Sequence, residues 1–108
     1  MSLRLNKNWR QLNQAAVDQL KGELGVFQLA DANKEVTFVG YAGSCSIFGL
    51  RSEIRKHIDT ASYYRTEITS AYSTRFQELL MLHYADFGSY PSLNSESETS
   101  LLGRLSPQ

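Results

Sequence analysis

The chain has 108 residues, a formal net charge of zero and 42% hydrophobic residues, which gives room for one ordinary globular core and not for two. No apolar run approaches the roughly 20 residues that cross a bilayer, and Trp9-Arg10-Gln11 stands where an export signal would carry its apolar core, so no membrane partner is expected. A neutral chain lacks the positive excess of a non-specific nucleic-acid binder, and a lone cysteine, Cys45, rules out an intrachain disulfide and makes a reducing cytoplasm the default expectation.

Residues 9–21 read as a helix, with Trp9, Leu12, Ala16 and Leu20 on one stripe, Asn8 as N-cap and Gly22 as stop. Gly25 to Gly40 then reads as a hairpin. Gly25-Val26-Phe27-Gln28-Leu29-Ala30 and Glu35-Val36-Thr37-Phe38-Val39-Gly40 flank Asp31-Ala32-Asn33-Lys34, a cluster of turn formers. Both faces of the two strands carry apolar groups, which predicts cover on both sides. The glycines at Gly25 and Gly40 permit a close approach that a Cβ would block. A loop of small residues, 41–46, leads into a second helix over about 46–58, with Ile47, Leu50, Ile54 and Ile58 in register and Ser44 or Ser46 as cap.

Residues 62–69 alternate as a third strand. A third helix follows over about 74–87, with Thr74 and Gln77 at capping-box spacing, Phe76, Leu79, Leu80, His83 and Phe87 on its apolar side, and Gly88 as stop. Tyr90-Pro91-Ser92-Leu93-Asn94 is a turn expected to fold back on the sheet. From Ser95 onward the composition shifts to serine, glutamate and glycine, which predicts a flexible tail with a short helix around 97–104.

Helix, strand, strand, helix, strand, helix, with these landmarks, resembles the GIY-YIG nuclease domain, a small three-stranded antiparallel sheet flanked by helices. Gly25-Val26-Phe27 is similar to the family's first triplet, Phe38-Val39-Gly40 to its second, Glu78 to its metal-binding glutamate and Asn94 to its closing asparagine. The resemblance covers residues 24–94. It implies an α+β fold with an extra N-terminal helix in 1–24, a domain over 25–94 and a tail over 95–108. It also implies a hollow that gathers paired tyrosines, a helix arginine and a glutamate holding Mg²⁺, which draws charge from a phosphate.

This chain departs from that chemistry. Phe27 and Phe38 stand at both tyrosine positions and carry no hydroxyl to move a proton. The arginine position falls at Glu53, with Arg51 and Arg55 two residues to either side. By residue type alone, Phe27 and Phe38 are strand core residues, Glu78 a solvated helix carboxylate, Asn94 a turn residue and His57 a helix-end histidine. Three functional readings follow. The first is a degenerate member that has lost cleavage and serves as a nucleic-acid-binding or interaction module through Arg51, Arg55, Lys56 and Arg65. The second is a Mg²⁺-dependent DNA endonuclease with a rearranged set of Tyr41, Arg51 or Arg55, His57 and Glu78. The third is a structural protein-interaction domain.

Overall fold

The computed structural model describes Leu5, residues 7–43 and residues 48–94. The proposed caps Ser44 and Ser46, with Cys45, Ile47 and the tail from Ser95, lie outside them. The order is β1 (Arg10–Gln11), α1 (Gln14–Gln19), β2 (Gly25–Ala30), β3 (Val36–Ala42), α2 (Gly49–Arg55), β4 (Tyr63–Ile68) and α3 (Tyr72–Phe87). The architecture is α+β: one antiparallel sheet in the order β1-β4-β2-β3, with helices on both faces.

The sheet has four strands where three were expected, and the added strand comes out of the predicted first helix. Arg10 and Gln11 are extended and pair with Tyr64 and Tyr63, and the Leu12 amide donates to the Ser62 carbonyl at 2.9 Å. The helix starts only after Asn13, not Asn8, because the Asn13 side chain accepts from the Ala16 amide at 2.8 Å. Six residues cannot sustain a helix alone. What holds α1 is burial of Val17 against Leu12, Phe27 and Ile54.

The hairpin forms, its second strand running on through Tyr41 and Ala42 where a loop was expected because these pair with Val26 and Gly25, and β2 is buried along its length between β3 and β4. Asp31 builds the turn: its Oδ1 accepts from the Asn33 and Glu35 amides at 2.9 and 3.0 Å, and Lys34 takes the left-handed conformation, φ 64°. The two faces of β2 enter two cores. Phe27 and Leu29 pack under α1 and α2 with Leu12, Leu50 and Ile54; Val26 packs under α3 with Val39, Phe76, Leu79 and Leu80. Each fully buried side chain of this kind is worth about 1.5–3 kcal/mol. The expected cover on both sides is present.

Both hairpin glycines sit where a Cβ has no room. At Gly40 it would meet Phe38 Cε2 at 2.7 Å and Phe27 Cε1 at 2.8 Å; at Gly25 it would run into the Glu67 carbonyl and lie 3.0 Å from Ile68 Cα. Helix α3 begins at Tyr72, ahead of the expected capping box. Its N-cap, Ala71, makes no side-chain cap bond; the Ala71 amide instead donates to Thr69 Oγ1 at 3.1 Å. Gly88 ends it in the left-handed conformation, its amide donating to the Tyr84 carbonyl. Phe87, assigned to the apolar side, is 69% exposed. The 90–94 turn does fold back on β3: the Leu93 amide donates to the Thr37 carbonyl at 2.8 Å.

Candidate functional site

The two glycine triplets lie side by side, antiparallel, with Phe27 opposite Gly40 and Leu29 opposite Phe38. Phe27 and Phe38 meet at a ring separation of 5.9 Å, over the space Gly40 leaves open. His57, just past α2, joins them with its ring 4.4 Å from that of Phe38 and 6.2 Å from that of Phe27. Phe27 is 1% exposed, so this aromatic group belongs to the α1–α2 core and not to a solvent cleft.

Glu78 is elsewhere. It lies on α3, against the opposite face of the sheet. Arg75 donates from Nη1 to Glu78 Oε1 at 2.6 Å and from Nε and Nη2 to the two oxygens of Glu67 at 2.7 and 3.2 Å. Glu67 pairs with Val26 in the register of β4 on β2, which puts this cluster on the Val26 side. The Arg75 side chain is only 13% exposed, and its pKa is raised, first by the hydrogen bonds it donates to Glu67, against the cost of burial. A divalent cation at Glu78 would compete with this guanidinium for the carboxylate. Among the described residues there is no group of three or more His, Cys, Asp or Glu arranged to hold a metal ion.

The remaining candidates divide the same way. Tyr41 is on the α3 side, stacked on Tyr72 at 5.8 Å and tilted against Phe76 at 4.8 Å, with 44% of its surface exposed. Arg51, Arg55 and His57 are on the α2 side. Arg51 is half-buried with its Nε unpartnered; Arg55 is exposed, 4.0 Å from Asp18; Lys56 bonds Glu53 at 3.3 Å. Arg65, grouped with them by sequence, shares the other face with Gln28, its register partner. The expected hollow therefore separates into an α2 side with Phe27, Phe38, His57 and the helix arginines, and an α3 side with Tyr41 and Glu78. Asn94 pairs with the backbone of β3: Val39 donates to its Oδ1 and its Nδ2 donates to the Val39 carbonyl, both at 2.9 Å.

Sequence reasoning passed over a second place. Between the Gln28 face of the sheet, the hairpin turn and the second half of α3 lies a cavity of about 590 Å³, bordered by Trp9, Gln28, Arg65, Leu79, Leu82 and Tyr90 among others. The one local clue is Gln28, a polar residue inside an otherwise apolar buried strand.

These features define a small α+β domain with a four-stranded antiparallel sheet and no helix, among the described residues, long and apolar enough to cross a membrane. The chain matches the family described as "Domain of unknown function (DUF7508)" over residues 1–86, and belongs to it. A comparison with curated proteins gives no match.

Proposed function

We propose that this domain is a degenerate GIY-YIG-like module that has lost cleavage and acts in binding or interaction. The kinship rests on element order and on the two glycine triplets, which pair directly across β2 and β3. The loss of cleavage rests on one observation: the groups a phosphodiester hydrolase must converge on one atom are divided between the two faces of the sheet. Phe27, Phe38 and His57 form a ring cluster on one side, while Glu78 is bound to Arg75 on the other. Proton transfer and metal ligation need partners within about 3 Å of a shared substrate, and a packed sheet separates them.

Interaction is favoured over nucleic-acid binding by the surface. Arg55 and Lys56 each have an acidic neighbour, Asp18 and Glu53, and Arg65 faces away from them. Helix α3 meanwhile exposes Met81, Tyr84 and Phe87, the kind of apolar surface that partners cover. The test incubates the full chain with branched and linear DNA in Mg²⁺ or Mn²⁺ beside Glu78→Ala. No cleavage is expected from either protein. Metal-dependent cleavage that disappears in Glu78→Ala would establish the rearranged endonuclease instead. Titration against labelled DNA at several salt concentrations is expected to give no salt-dependent binding; a steep salt slope would assign the α2 cations to phosphate contacts.

A further inference from the structure

The cavity under α3 is bordered by two side chains with donor capacity to spare, Gln28 and Arg65. Gln28 is 7% exposed, and its carboxamide oxygen accepts from Arg65 Nε at 2.7 Å. That leaves its Nε2, with two N–H groups, without an acceptor among the described residues, beside a cavity large enough for a small ligand. Arg65 is held flat, its guanidinium carbon 4.0 Å from the Trp9 ring centroid and its Nη1 donating to the Lys7 carbonyl at 3.3 Å. Two of its five N–H groups are thus used and no carboxylate among the described residues pairs with it. Burial pushes its pKa down with no counter-charge to oppose the shift.

Asp31, Glu35, Asp86, Lys34 and His83 also border the cavity. Asp31 is spent on the turn amides, His83 Nδ1 is engaged with the Ser89 carbonyl at 2.9 Å, and Lys34 lies 5.4 Å from the centre of the Tyr63 ring. On the sheet strands the free donor capacity belongs to Gln28 Nε2 and the Arg65 guanidinium, while the carboxylates of Glu35, at the hairpin, and Asp86, on α3, border the same cavity. The walls supplied by Trp9, Leu79 and Leu82 are apolar or aromatic. A carboxamide with both N–H groups to spare and a half-buried guanidinium with no carboxylate partner among the described residues suit an anion with oxygen acceptors.

We propose that this cavity is a binding site for a small organic oxyanion, its carboxylate or phosphate head on Arg65 and Gln28 Nε2 and its apolar, ring-sized body against Trp9, Leu79 and Leu82. The site lies apart from the Phe27–Phe38–His57 cluster and does not depend on the domain's kinship.

The test titrates the full chain with benzoate, phenyl phosphate and the neutral isostere benzamide. Trp9, the sole tryptophan, reports occupancy by its emission, and the Gln28 side-chain amide reports it by its NMR shift. Saturable binding is expected for at least one anion near or below about 1 mM, with benzamide weaker by about tenfold or more; the tighter anion identifies the head group. Arg65→Met, which keeps the stem against Trp9, is expected to weaken the anion by about tenfold or more, and Arg65→Lys by less. If Arg65→Met does not fold, the comparison of anion with benzamide on the unmodified chain decides. No half-saturation by about 5 mM, several-fold above the expected limit, or equal binding of benzamide, or shifts that bypass Gln28, would overturn the proposal and leave the donors to water.

Discussion

Gly40→Ala tests whether the aromatic pair, and not merely strand propensity, dictates that glycine. The new methyl would stand 2.8 Å from Phe27 Cε1 and 2.7 Å from Phe38 Cε2. Ordinary carbon contacts begin near about 3.5 Å, so each ring must retreat by about 0.7 Å or more. Phe38 is only half-buried and can swing outward; Phe27, 1% exposed and packed among Leu12, Val17 and Ile54, cannot. Overpacking of this kind costs about 1–3 kcal/mol. Replacing glycine in a strand returns about 0.4–1 kcal/mol through the unfolded chain. The net expectation is a loss of about 1–2 kcal/mol, which lowers the melting temperature of a domain this size by about 5–15 °C. Circular dichroism melts and urea titrations measure it. Phe27→Leu alone leaves a cavity and destabilises. In the double variant the methyl occupies the vacated space, so its loss falls short of the sum by about 1 kcal/mol or more. Wild-type stability in Gly40→Ala, or strict additivity in the double variant, would refute the packing argument.

Gly25→Ala is expected to cost more than Gly40→Ala, about 3 kcal/mol or above, because its Cβ strikes the backbone of β4 at Glu67 and Ile68 and no side chain can yield; the same melts rank the two. Arg75→Met leaves two carboxylates, Glu67 and Glu78, facing each other without their cation, and should lose about 2–4 kcal/mol; a second change, Glu67→Gln, is expected to recover part of it in a double-mutant cycle. Asn94→Ala removes both bonds to Val39 and should lose about 1–3 kcal/mol, with faster hydrogen exchange at the Val39 amide by NMR. Gly88→Ala is opposed only by its left-handed backbone, φ 75°, with nothing within 4 Å of the added carbon, so it should cost about 1 kcal/mol, and Gly88→Asn less.

The hairpin, its turn and both glycines were legible because their causes are local: alternation, turn formers and a missing Cβ. The first helix was misread for a physical reason. Trp9, Leu12 and Ala16 keep helical spacing, yet Leu12 reaches the core from an extended strand and Trp9 is used against Arg65. Asn8 and Asn13 both suit a cap, and the pairing of Arg10 and Gln11 with β4 decides between them. The start of α3 was missed because residues 69–71 satisfy their amide locally through Thr69, which no spacing rule anticipates. The expected hollow failed at the level of faces. Phe27 projects from β2 into the α1–α2 core while Glu78 sits on α3 against the other face of the sheet, and only the placement of α3 under Val26 reveals it. Gln28 and Arg65 are 37 residues apart and meet solely through the register of β2 on β4.

The outer margin of β3 would be a template for any extended chain that drifted past, since its outward amides and carbonyls match those of a fifth strand. Residues 93 and 94 forestall that docking: the Asn94 carboxamide imitates a single peptide unit against Val39, and the Leu93 amide covers the Thr37 carbonyl. At the other margin, β1 is two residues long and offers little to extend. A chain stripped of the Asn94 side chain leaves Val39 open at the β3 margin and is expected to associate, margin to margin, at high concentration.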